Sequence, residues 1–151
     1  MLQKGDNAPF FELESSDGGK ISSESLKGMK YVLYFYPKAN TSGCTKEAIE
    51  FSELLEEFQK KEVKIFGVSP DNMQKHEKFI KDHNLKITLL SDPNNEVSAS
   101  YFAYGDKSMY GKVYKGIIRS TFVINEDGVI EEAFYKVKAA GHAKKVLDCV
   151  L

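Results

Sequence analysis

Tyr31-Val-Leu-Tyr-Phe-Tyr-Pro-Lys-Ala-Asn-Thr-Ser-Gly-Cys44 is the stretch on which the reading of this chain turns. The unbroken apolar run Tyr31 to Tyr36 reads as a strand buried on both faces. Pro37 ends it, and a short polar loop follows. From Ala48 onward, Phe51, Leu54, Leu55 and Phe58 recur at three- and four-residue steps, which predicts a helix over roughly 45–61. Cys44 therefore falls in the first turn of that helix. Unpaired N–H groups and the positive end of the helix dipole there favour a thiolate over a thiol. A thiolate is a nucleophile, whereas a buried thiol is filler, and the stretch alone leaves both open.

Bulk properties narrow the setting. A chain of 151 residues is read as one domain spanning 1–151, able to bury about 70% of its unfolded surface. It is 42% hydrophobic and 28% charged with a net charge of −1, so no basic field argues for nucleic acid or an anionic membrane. No segment reaches the length of a membrane helix and the first residues lack the apolar run of a signal peptide, so a cytoplasmic protein is expected. Cys44 and Cys149 stand alone and far apart, with neither disulfide framework nor zinc spacing.

Outward from the opening stretch the pattern is α/β. Before it lie an N-terminal arm, a turn at Gly18-Gly19 and a short connection from Ile21 to Lys27. After it come an apolar strand at Val63–Ser69 and a helix from about Asn72 to His83 with Met73, Phe79 and Ile80 inward. A strand end at Leu89–Ser91 and a short helix from Glu96 to Ala103 follow. Residues 104–116 read as an extended, glycine-bearing loop. Ser120–Ile124 and Val129–Tyr135 flank the hairpin signal Asn125-Glu-Asp-Gly128. A closing helix carries Ala143, Val146, Leu147, Val150 and Leu151 as one stripe. This order predicts a central sheet covered on both faces.

One basic residue stands apart. Of 21 Lys and Arg residues only Arg119 is arginine, at the start of a strand read as central. Its planar fork and weak hydration suit a partly buried anion. Alone, it reads equally well as a structural ion pair.

Several blocks together resemble a family. Pro37, Thr41 and Cys44 fit the Pro-x-x-x-Thr-x-x-Cys signature of peroxiredoxins. Asn40-Thr-Ser-Gly-Cys-Thr-Lys-Glu-Ala48, Gly67-Val-Ser-Pro-Asp71, Leu89-Leu-Ser-Asp92, Gly116-Ile-Ile-Arg-Ser-Thr-Phe122 and Ala140-Gly-His142 resemble the bacterioferritin-comigratory, or Q-type, branch. The resemblance runs from Gly5 to the last helix. It implies a thioredoxin-like fold with a mixed sheet flanked by helices on both faces. It also implies thiol-dependent reduction of hydrogen peroxide and organic hydroperoxides, with thioredoxin or another small thiol as reductant. Cys44 would be the peroxidatic cysteine, passing through a sulfenic acid. No cofactor or metal is implied, and the assembly expected is a monomer or weak homodimer.

The chemistry suits these residue types. Charge developing on a cleaving O–O bond needs donors already aimed at it, a task for Arg119, the Thr41 hydroxyl and N–H groups near Cys44. Pro37 would stiffen the loop, or simply terminate the strand. Glu47 could orient Arg119, or simply be a favourable first-turn acid.

The second half of the cycle is less defined. Many members of the branch carry a second cysteine five residues after the first, where this chain has Ile49. Cys149 points roughly 120–130° from the middle of the last helix's stripe and is expected to be exposed. It either resolves Cys44, within or between chains, or takes no part in a one-cysteine cycle. Ala39 and Ser42 stand where the branch commonly has Asp and Pro. His76, His83 and His142 read as solvated or capping residues. A redox sensor or holdase with little turnover is the alternative function.

Overall fold

A computed structural model describes residues 1–150, the side chain of Met109 excepted. Fourteen elements run in the order β1 Glu12–Ser15, β2 Lys20–Ser22, β3 Lys30–Phe35, α1 Ser42–Glu53, α2 Leu55–Lys60, β4 Val63–Ser69, α3 Met73–His83, β5 Thr88–Ser91, α4 Glu96–Ser100, β6 Tyr104–Met109, β7 Lys112–Ile117, β8 Ser120–Ile124, β9 Ile130–Tyr135 and α5 His142–Cys149. Seven strands form one mixed sheet in the order β2-β1-β5-β4-β3-β8-β9. β3, β4 and β5 are parallel, and the strands outside them pair antiparallel.

The opening stretch explains this centre. Val32, Tyr34 and Tyr36 enter one apolar layer, while Tyr31, Leu33 and Phe35 enter the other. Strand periodicity thus splits one apolar run between two cores. The first layer is closed by α1, α2, α3 and α5 through Ala48, Phe51, Phe58, Phe79, Val146 and Leu147. The second is closed by α4 and the N-terminal segment through Phe11, Leu26 and Tyr101. Helices flank both faces, unequally.

Gly67 on β4 makes one close approach possible. A Cβ there would sit 2.8 Å from Tyr34 Cζ and 3.0 Å from Leu89 Cδ2. The Tyr34 ring cannot retreat, being buried and stacked on Phe51 at a centroid distance of 4.7 Å. Gly67→Ala is therefore expected to destabilise by about 1–3 kcal/mol through overpacking, read as a lower urea midpoint. An unchanged midpoint would mean the tyrosine layer can give.

Four departures from the sequence reading have physical causes. The helix read as 45–61 begins at Ser42 and breaks at Leu54, giving α1 and α2. The arm and connection at the N-terminus form the antiparallel pair β1–β2, whose few residues bury only Leu13 and Ser15 on one face of β1. Residues 104–116 are not a loop but most of the hairpin β6–β7, turning at Tyr110 and Gly111, both with positive φ. This hairpin stands outside the main sheet and is largely exposed, so burial imposed no alternation to read. His76 and His142 are core residues rather than solvated ones. His76 Nδ1 pairs with Tyr36 Oη at 3.1 Å and His142 Nε2 with Thr121 Oγ1 at 2.8 Å. Each lies on its helix's apolar stripe, His76 three residues after Met73 and His142 four before Val146. Leu151, assigned to the last stripe, lies outside the described residues.

Candidate active site

The β3–β8 pairing creates the site. Phe35 is opposite Ser120, so the residues beyond these ends, Tyr36 and Arg119, emerge side by side. From Tyr36 the chain passes through half-buried Pro37 and a turn at Lys38–Thr41 into α1. Thr41, extended at φ −86° and ψ 156°, is the residue before the helix. The first intrahelical bond runs from Thr45 N–H to Thr41 O at 2.8 Å. The N–H groups of Ser42, Gly43 and Cys44 precede it, with no helical carbonyl to receive them.

Cys44 is 1% exposed and faces the sheet. Arg119 Nη2 donates to Cys44 Sγ at 3.2 Å, and Arg119 Nη1 donates to Glu47 Oε1 at 2.6 Å. Gly43 gives the guanidinium room, since a Cβ there would lie 3.3 Å from Arg119 Nη2. One fork thus spans a sulfur and a carboxylate one helical turn apart. Thr41 Oγ1 donates to Lys38 O at 2.7 Å. This alters its expected part: with the hydrogen committed to Lys38, the hydroxyl offers lone pairs and accepts rather than donates.

Glu47 is fully buried, and Arg119 meets only one of its oxygens; Oε2 has no partner among the described residues. Burial pushes its carboxyl up to about 7, with Arg119 offsetting only part of that rise. Protons therefore favour the folded state through this group below its unfolded value. That contribution is lost as pH rises from about 4.5 to about 7. His142 acts oppositely: burial lowers it to about 4, so its contribution is lost as pH falls. Comparing wild type with Glu47→Gln isolates the carboxyl. Between about pH 5 and about pH 8 the wild-type urea midpoint should fall relative to the variant's. Midpoints that track in parallel would rule out the raised value.

Two residues near the site gave no usable signal in the sequence. The Tyr34 hydroxyl is buried and unpartnered beside the site, where burial first, and then the charges of Tyr36, Glu47 and Cys44, raise it well above its ordinary value. Lys107 of β6 is lowered by burial first and then by Arg119's charge, with Cys44 pulling the other way. Its segment read as a loop, so nothing placed it here. Among the described residues no cluster of His, Cys, Asp and Glu could hold a metal ion, and no helix is long and apolar enough to cross a membrane.

Residues 4–133 match the AhpC/TSA family. The chain belongs to the peroxiredoxins. It is 54% identical over 147 residues to the putative peroxiredoxin bcp of Helicobacter pylori strain J99, covering 97% of each chain. Against peroxiredoxin Bcp of Escherichia coli K12 it is 38% identical, covering 97% of this chain and 94% of that one. A solved structure of the Xanthomonas campestris bacterioferritin comigratory protein, described in terms of its alkyl peroxide reduction activity, superposes with a TM-score of 0.87. It shares 38% identity, over 93% of this chain and 89% of that one. The expected branch, thioredoxin-like fold and thiol peroxidase activity of this peroxiredoxin are borne out.

Cys149 is half-buried rather than fully exposed and, like Cys44, is a free thiol. The start of α5 is held beside the middle of α1 by Gly141 N–H to Glu50 Oε1 at 2.9 Å. Its end is held beside the end of α2 by Lys61 Nζ to Val150 O at 2.7 Å. Cys149, at the end of α5, thus lies toward the end of α2, whereas Cys44 is in the first turn of α1. A disulfide needs Cα atoms roughly 4.4–6.8 Å apart.

Proposed function

We propose that Cys44 is the peroxidatic cysteine and that Arg119, Thr41 and the first turn of α1 activate the peroxide. The observation that carries this is the 3.2 Å contact from Arg119 Nη2 to Cys44 Sγ. The Cys44 thiolate attacks one oxygen of a hydroperoxide, an S–O bond forms and the O–O bond breaks. The other oxygen leaves with the electron pair as hydroxide or alkoxide and takes a proton to become water or alcohol. Sulfur is oxidised to a sulfenic acid. Thr41 accepts the hydrogen of the attacked oxygen, which orients its far side for departure. Arg119 and the N–H groups of Ser42 to Cys44 offset the charge that develops. Hydrogen peroxide and small organic hydroperoxides both fit this scheme, because it engages only the O–O unit. Glu47 holds the second nitrogen of the fork, and Pro37 closes the loop against the strand end.

Reduction then comes from outside the chain, with thioredoxin the reductant proposed. One of its thiols attacks the Cys44 sulfur and releases water, and its second thiol breaks the mixed disulfide. The placement of Cys44 at the start of α1 and Cys149 beside the end of α2 supports this one-cysteine cycle. The test is peroxide consumption coupled to thioredoxin, thioredoxin reductase and NADPH. Cys149→Ser should sustain turnover within about twofold of wild type, as expected for a partly exposed residue outside the site. Collapse of turnover in that variant would assign Cys149 a resolving role between chains. Client binding without turnover would favour the sensor or holdase.

A further inference from the structure

The turn that leads into α1 hangs from the opposite side of the site, and its suspension point is a buried carboxylate. Asn40, at φ 63°, is the third residue of the Lys38–Thr41 turn. Asp71 Oδ2 accepts from Ala39 N–H at 2.7 Å. Asn40 Oδ1 lies 2.8 Å from His83 Nε2, and Asn40 Nδ2 lies 3.4 Å from Asp82 Oδ2. Both middle residues of the turn are thus tied to α3 and the segment leading into it.

Asp71 is itself fixed. Ser69 Oγ donates to Asp71 Oδ2 at 2.8 Å, and Asp71 N–H donates to Ser69 Oγ at 3.2 Å. Ser91 Oγ donates to Asp71 O at 2.8 Å. Ser69 ends β4 and Ser91 ends β5, so the clamp is mounted on the rigid parallel centre of the sheet. The side chain is buried, yet among the described residues no cation pairs with it. One carboxylate oxygen thus joins the turn, through Ala39 N–H, to the end of β4, through Ser69 Oγ.

We propose that Asp71 is a positioning residue of the peroxidatic site, holding the Lys38–Thr41 turn so that Thr41 is correctly aimed beside Cys44. This rests on Cys44 being the peroxidatic thiol. The Thr41 hydroxyl takes its direction from Lys38 O across the same turn, so a turn released from Asp71 loses the acceptor that orients the peroxide. The Arg119 contact to Cys44 does not pass through Asp71 and survives its loss.

The test compares two reactions of one thiol in a Cys149→Ser background. Hydrogen peroxide needs Thr41, whereas alkylation by iodoacetamide does not. Asp71→Ala should slow the peroxide reaction about ten- to hundredfold, the scale of a misplaced reacting geometry, while alkylation of Cys44 stays within about twofold. Asp71→Asn keeps an oxygen acceptor for Ala39 N–H and should recover most of the rate. Ala39→Pro removes that N–H while leaving Asp71 in place, at the second position of a turn, where proline's fixed φ is favoured. It should reproduce the selective loss even if Asp71→Ala fails to fold. Wild-type peroxide rates in Asp71→Ala and Ala39→Pro would overturn the proposal. So would peroxide and alkylation rates that fall together, which marks general damage. If Cys44→Ser still reacted with peroxide, the assignment of Cys44 would fall instead.

Discussion

Serine in place of Cys44 is expected to reduce peroxide consumption to the uncatalysed background. The effect is total because in the proposed cycle every step passes through this sulfur: the thiolate attacks, becomes the sulfenic acid and is then reduced. A serine hydroxyl keeps the size of the group but stays protonated at neutral pH, and among the described residues the hydrogen-bond partner of Cys44 Sγ is Arg119, a cation and not a base. The fold should survive, since Sγ→Oγ is a small change on the first turn of α1. Peroxide loss followed directly, with circular dichroism as the folding control, reads the result. Consumption retained by Cys44→Ser would move the chemistry elsewhere.

Arg119→Ala should lower the second-order rate constant with hydrogen peroxide by about 10²–10³, the usual cost of removing one pre-aimed donor from a site of developing charge. Two losses combine. Sulfur loses its 3.2 Å donor, and Glu47 loses the partner of Oε1 while remaining buried. Arg119→Lys separates geometry from charge, because an ammonium cannot donate in parallel to Cys44 and Glu47 from one plane. It should recover only part of the loss. A lysine variant equal to wild type in single-turnover kinetics would show that bare charge suffices.

Much of this was legible in the sequence, for physical reasons. Tyr31–Tyr36 was readable because a strand buried on both faces must be apolar throughout, and Val63–Ser69 for nearly the same reason. Cys44 at a helix start followed from where the apolar steps resume at Ala48. The lone arginine drew notice because every other basic residue is lysine. What stayed hidden depended on tertiary contacts. The meeting of Arg119 with Cys44 required the Phe35–Ser120 register, which two separate strands do not announce. The direction of the Thr41 hydroxyl depended on a turn tied to Asp71 through Ala39, 32 residues apart in sequence and joined only by folding. His76 and His142 looked polar and hence solvated, but their helical spacing placed them inward, where Tyr36 and Thr121 meet them. β6–β7 escaped because an exposed hairpin needs no hydrophobic alternation.

The central claim is that Cys44 alone carries the oxidised state and that no bridge to Cys149 forms within the folded chain. Intact mass after one equivalent of hydrogen peroxide, with a sulfenic-acid trap and peptide mapping, tests it most directly. A monomer that gains one oxygen atom, trapped at Cys44, is the expected product. Loss of two hydrogens with Cys44 joined to Cys149 in one chain, or an oxygen gained at Cys149 instead, would contradict it.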